Sequence, residues 1–316
     1  MYKSFSKKII KKIKNLETKK HRIGLIINSE DIDLRYRSSK KFFMCSIPKI
    51  IWVTYTLKCI DDKLFNFNSE VKIMNKRYAQ YAFGTGILQY LLIKANELKE
   101  ELREKLKSEK IEKCKKSPRK TIDTITLKEA MKLSVNKSDN LAIISLVDFL
   151  EENSIPRSKV QNWLENIINS KDIVLMDSAR DDTQNLNWGT LDSLVKFISL
   201  LLNGCILNRS NTSLLSNWMQ NTESENRLGT LKSDSTKVIH KTGQIGKLQV
   251  PQKNYFIKTY CDIGLIRSPD TEIYIGIFYE YKFKKKLNKE DNEKINKTMI
   301  KNMQEIIREI KKIFKR

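Results

Sequence analysis

Apolar positions recur along most of this chain at either helical or strand spacing. Phe5, Ile9, Ile13 and Leu16 follow the helical period with lysines on the opposite face, which predicts an amphipathic helix over residues 3–17, seated on an apolar partner or on a membrane surface. Ile23 to Asn28 reads as a buried strand, with 31–37 returning as its hairpin partner. The most apolar run of the first hundred residues, Phe42 to Val53, carries Pro48 where the first turn of a helix tolerates it, so a helix is expected from about Ser46 to Thr56. Residues 57–82 read as irregular, and 83–91, with Gly84 and Gly86, as a turn. Acid and base then alternate four apart through 92–116, the pattern of a solvated helix or projecting insertion.

Further helices are expected over 122–134, 141–150, 158–168, 191–202 (stopped by Asn203-Gly204) and 213–220. Past residue 235 the period shortens to that of strands, at 238–241, 256–267 and 271–281, with Ser268-Pro269-Asp270 turning between the last two. A final helix carries Ile295, Met299, Met303, Ile306, Ile310 and Ile313 on one stripe. Strands near both ends with helices between predict an α/β chain of the α+β type. Its antiparallel sheet would be flanked by N- and C-terminal helices and would receive an inserted all-helical domain. The expected divisions are 1–42 plus 189–316 for the sheet domain and 43–188 for the helical one, with the charged insertion near 92–120.

Composition changes this picture little. With 316 residues and 40% hydrophobic content the chain has material for a substantial core, and no apolar run is long enough to span a bilayer. The first thirteen residues have the charge of a secretory leader without its apolar segment. That places the chain as written in the cytoplasm, or outside it if the N-terminus is incomplete. Five cysteines lack the paired spacing of a zinc site and read as reduced thiols, so neither metal nor cofactor is expected. The net charge of +23 admits weak association with an anionic surface. Lysine far outnumbers arginine and no strand pairs basic residues with an aromatic platform, so nucleic acid is not an expected partner.

The candidate chemistry begins at Ser46-x-x-Lys49. Elsewhere S-x-x-K recurs in polar surroundings, as at Ser38/Lys41 and Ser117/Lys120, where both groups are ordinary surface. Here it opens a buried helix, where residues three apart share a face and a desolvated lysine can take a proton from a hydroxyl. Two further motifs follow: Ser138-Asp139-Asn140 between two helices, and Lys241-Thr242-Gly243 at a strand end, with Gln244 next. Taken singly, these are a helix cap and a strand end. His240 alternates to the other face of its strand and reads as packing, His21 reads as a lone surface residue, and no Ser–His pair is available.

Together S-x-x-K, S-D-N and K-T-G form a known catalytic set. On these residues the chain resembles the class A β-lactamase family of penicillin-recognising serine hydrolases, over nearly its whole length apart from the charged insertion. The resemblance implies a Ser46 acyl-enzyme formed from a β-lactam or a related amide or ester. It implies Lys49 as base, Ser138 as proton relay to the leaving nitrogen, and Asn140 holding Lys49 and the substrate amide. Lys241 and Thr242 would bind the substrate carboxylate, and the Ser46 and Gln244 N–H groups would form the oxyanion hole. Asp139 orders its own loop on this reading. The family's loop glutamate, in E-x-x-L-N, falls here on Thr183 of Thr183-Gln184-Asn185-Leu186-Asn187, with Asp181 and Asp182 just before it. Acylation is therefore implied intact and deacylation impaired, which leaves a penicillin-binding D,D-peptidase-like enzyme as the alternative, and a non-catalytic relative binding anionic surfaces as another. Arg180 and Asp192 are expected to tie the loop neck.

Overall fold

The computed structural model describes residues 2–74, 121–175, 187–222, 227–249, 255–284 and 287–313. In chain order these form helix α1 (Tyr2–Leu16), strands β1 (His21–Asn28), β2 (Asp33–Tyr36) and β3 (Lys41–Phe43), and helix α2 (Pro48–Asp61). Strands β4 (Glu70–Met74) and β5 (Thr121–Thr126) precede helices α3 (Leu127–Asn136), α4 (Asn140–Glu152) and α5 (Arg157–Ile168). Strand β6 (Trp188–Thr190), helices α6 (Leu191–Leu202) and α7 (Arg209–Gln220) and a 3-10 turn at Leu228–Leu231 follow. Strands β7 (Lys237–Gln249), β8 (Phe256–Arg267) and β9 (Glu272–Phe283) and helix α8 (Lys289–Lys311) complete the chain. It divides into two compact units, one of residues 1–48 and 161–316, the other of 49–160.

In the first unit the strands predicted at both ends close into one antiparallel sheet, in the order β2-β1-β9-β8-β7. Ile23, Leu25 and Ile27 of β1 and Ile273, Ile275 and Ile277 of β9 alternate onto one face, where Ile9 and Ile13 of α1 and Met299, Met303, Ile306 and Ile310 of α8 complete a core. Leu191 of α6 lies on the other face, close to Gly24 and Gly276. Burying both faces explains why these strands read as nearly continuous apolar runs. Glu280 lies inside this unit, 1% exposed, accepting from Arg22 and, at 2.9 Å, from the Phe43 N–H. It thereby pins β3, and the turn after it, to β9.

In the second unit β4 and β5 pair antiparallel, with α3 and α4 packed beside them. Here the structure departs from the sequence reading: residues 57–82 are not irregular throughout, since α2 runs on to Asp61 and 70–74 form a strand. The helix expected from Ile122 begins only at Leu127, because Thr121–Thr126, rich in β-branched residues, is drawn into the ladder with β4. Thr126 then caps α3, accepting from Glu129 N at 3.2 Å. The glycine turn at 83–91, the charged insertion and Cys114 lie outside the described residues. His21 is no lone surface residue: it is half-buried, with Nδ1 2.8 Å from the Tyr279 hydroxyl, and burial lowers its pKa.

Candidate active site

The second unit holds one cluster of the expected residues. Lys49, the second residue of α2, is 6% exposed. Its ammonium donates to the Ser138 carbonyl, to Asn140 Oδ1 at 2.7 Å and to Ser138 Oγ at 3.4 Å. The local sequence builds this arrangement. Helix α3 ends with the N–H groups of Lys137 and Asp139 both closing on the Leu133 carbonyl, at 3.2 and 3.1 Å. Between them Ser138 takes a left-handed φ of 53°, a conformation usually left to glycine at a helix end. Asp139 then starts α4, its Oδ1 accepting from Ala142 N at 2.8 Å. Asn140 is therefore the first residue of a capped helix. The turn presents a carbonyl, a hydroxyl and an amide oxygen to one buried cation, which compensates the cost of removing that cation from water.

The first unit holds the other cluster. Ser46 lies in a turn from Met44 to Ile47, closed by the Ile47 N–H on the Met44 carbonyl at 3.0 Å, two residues before α2 begins. Cys45 before it is left-handed, with φ 50°. Strained backbone thus precedes Ser46 and recurs at Ser138. Gly243 of β7 faces this turn: a Cβ added there would stand 2.9 Å from the Ser46 nitrogen, 2.9 Å from Cys45 Cβ and 2.7 Å from Cys261 Sγ. Glycine is required because the Ser46 backbone comes against the strand itself. Strand β7 is the last strand of the sheet and pairs with β8 among the described residues.

Lys241 and Thr242, next to Gly243 on β7, are buried, whereas Gln244 is exposed. Lys241 Nζ donates to the Thr242 carbonyl at 2.9 Å. Burial pulls its pKa down to about 8, opposed by the nearby Cys261 and Asp262. His240 is buried as expected, but it is more than packing: its Nδ1 lies 2.9 and 3.0 Å from the two oxygens of Asp262.

Sequence reasoning missed the supports behind this strand. Arg227, 6% exposed, donates to the carbonyls of Gly243 and Cys261 at 3.0 and 2.9 Å and to Gln244 Oε1 at 2.9 Å. Asp262, fully buried, accepts the Leu228 N–H at 2.9 Å and so fixes the 3-10 turn beside Arg227. The available signal was a carboxylate set within the apolar run Tyr260-Cys261-Asp262-Ile263. Asp181, Asp182, Thr183 and Arg180 lie outside the described residues. Asp192 pairs with Arg35 Nη1 at 2.6 Å.

A central antiparallel sheet with a serine turn facing its edge strand, and a lysine held by an S-D-N turn, define a serine hydrolase of the β-lactamase type. The sequence model of the Beta-lactamase enzyme family matches residues 7–303, and the chain belongs to that family. No curated protein sequence matches it. Among solved structures, a point mutant of PBP-A in an acyl-enzyme complex with penicillin G superposes with a TM-score of 0.71 at 14% identity, covering 99% of this chain and 97% of that one. The TLA-3 extended-spectrum β-lactamase gives 0.70 at 20% identity over 99% of both chains. A β-lactamase from Chitinophaga pinensis gives 0.70 at 15% identity, covering 98% and 99%. At such identities the likeness fixes the fold, while the family match makes the chain a serine β-lactamase-like hydrolase.

Proposed function

We propose that Ser46 is the nucleophile of a class A β-lactamase-like enzyme that forms a persistent acyl-enzyme with β-lactams or related amides and esters. Lys49, in its neutral form, accepts the Ser46 proton. Ser138, whose Oγ lies 3.4 Å from Lys49 Nζ, passes it to the departing nitrogen. The tetrahedral oxyanion meets the N–H groups of Ser46 and Gln244. Lys241, charged below about pH 8, and the Thr242 hydroxyl hold the substrate carboxylate. Asn140 keeps Lys49 in place and bonds the substrate amide. The observation that carries this reading is the convergence of Ser138 and Asn140 on Lys49, three residues along the chain from Ser46. A similar fold captured as a penicillin G acyl-enzyme supports it.

Release is the slow step on this reading, because Thr183 and its neighbours Asp181 and Asp182 supply no carboxylate at the water-directing position. The physiological acyl donor would then be a small molecule or peptide, as in a penicillin-binding peptidase. Incubation with penicillin G followed by intact mass spectrometry tests both steps. An adduct is expected on the wild type, lasting for hours and absent in Ser46→Ala, and Thr183→Glu is expected to hasten its loss. A wild type without adduct, or an adduct retained in Ser46→Ala, overturns the assignment.

A second reading rests on α1, whose exposed Lys7, Lys8, Lys11 and Lys14 share a helix containing no carboxylate. We infer weak association of this face with anionic surfaces, each lysine near a charged bilayer contributing about 1 kcal/mol. Co-sedimentation with phosphatidylserine vesicles is expected at low salt and lost at high salt, unaffected by Ser46→Ala. Absence of binding at low salt removes it.

A further inference from the structure

The least expected feature beside Ser46 is a pair of thiols brought together from residues 45 and 261. Cys45 sits on the left-handed residue before Ser46, and Cys261 is the register partner of Gly243 on β8. Both occupy the notch that the missing side chain of Gly243 leaves, with Cys261 Sγ and Cys45 Cβ each within 3 Å of the place a Cβ would fill. The backbone around them is shared as well. Cys261 Sγ lies 3.6 Å from the Met44 carbonyl, the peptide group leading into Cys45, and 3.4 Å from the Gly243 carbonyl. Cys45 Sγ lies 4.0 Å from the Thr259 carbonyl on the strand that carries Cys261.

We propose that Cys45 and Cys261 are a disulfide-forming pair, closed by a low-molecular-weight disulfide such as oxidised glutathione, and that the bond fastens the Ser46 turn to β8. In the first step one cysteine thiolate attacks the oxidant's S–S bond, giving a mixed disulfide and one free thiol. The second cysteine, losing its proton, then displaces the remaining half. The net change converts two protein thiols into one S–S bond, and the oxidant takes up both protons and both electrons as two thiols. Cys45 is half-buried and Cys261 fully buried, and burial pushes the Cys45 thiol up, so the folded protein is slow to react. Closure is therefore fastest while the chain folds, before the notch seals.

Sharing the notch beside Gly243 sets a high effective concentration for the second step, so a mixed disulfide at either cysteine does not accumulate. The other cysteines offer no such arrangement among the described residues: Cys59 is buried in the second unit and Cys205 is exposed. Closure links residues far apart in sequence. It removes much freedom from the unfolded chain, and an increase in melting temperature on the order of 5 °C is expected.

The test is to unfold the full chain and refold it in a glutathione redox buffer, in parallel with refolding under reductant. Oxidative refolding is expected to lower the intact mass by about 2 Da. Tryptic mapping is expected to join the peptide Phe42–Lys49, which contains Cys45, to the peptide Thr259–Arg267, which contains Cys261, and reduction is expected to release them. Cys261→Ala is expected to abolish the joined peptide. A different cysteine pairing, a stable glutathione adduct on Cys45, or five free thiols after oxidative refolding each overturn the proposal. Mapping the wild type reads the bond directly, so a variant that folds poorly does not obscure the result. The readout is independent of Ser46 chemistry: a protein that fails to bind penicillin still reports whether its thiols close.

Discussion

At the scale of single residues, the site is built from positions where backbone geometry is given up for placement. Gly243 is the sharpest case. Alanine there would drive a methyl group to within 2.9 Å of the Ser46 nitrogen, displacing the proposed oxyanion donor. Gly243→Ala is expected to slow penicillin acylation about 100-fold, read by time-resolved intact mass. Ser138 shows the trade from the other side. Replacing it by glycine relieves a left-handed φ and is expected to raise stability by about 1 kcal/mol in urea melts. The same change removes the proposed relay hydroxyl and is expected to slow acylation about 100-fold. Opposite signs from one substitution separate strain from chemistry. Lys241 sets a pH limit. Its folded pKa is depressed to about 8, so it is charged below that value and neutral above it. The acylation rate constant is expected to fall on an alkaline limb near pH 8, and a profile that stays flat well above that pH would count against Lys241 as the carboxylate anchor.

At the scale of elements, one buried carboxylate organises the N-terminal half of the first unit. Glu280 is 1% exposed and is neutralised by Arg22, which also lies 4.3 Å over the Phe42 ring and donates to the Lys41 carbonyl at 2.9 Å. Arg22→Leu strands that charge and is expected to destabilise the fold by about 3 kcal/mol, with Glu280→Gln in the same chain restoring part of the loss in thermal melts. This pair also marks the limit of reading elements from sequence. The helix at 191–202 and the strand at 256–267 were legible to the residue, because their periods are set by what each buries. Strand β5 was not. Thr121–Thr126 flows into the apolar spacing of the following helix, and only pairing with Glu70–Met74, far away in sequence, decides its conformation. The three motifs were legible because each repeats a fixed local chemistry. Arg227 and Asp262 were not, because their roles are defined by strands and turns that meet only on folding.

At the scale of the whole molecule, the chain leaves the sheet-bearing unit after residue 48 and returns to it at 161. Ser46 and Lys49 fall in different compact units though they are only three residues apart in sequence. The partners of each are gathered from much farther along the chain: Gly243 beside Ser46, Ser138 and Asn140 beside Lys49. Sequence spacing therefore located the first pair with ease and the remaining groups only through motif chemistry.

The sheet order carries a consequence for biosynthesis. Strand β1 is flanked by β2, made almost at once, and by β9, which occupies residues 272–283. While a ribosome is still translating the intervening residues, Ile23, Leu25 and Ile27 have only a four-residue hairpin partner and no companion on their other edge. The nascent polypeptide must shield an adhesive apolar segment for most of its elongation, which makes it a natural client for holdase chaperones until the closing hairpin is delivered.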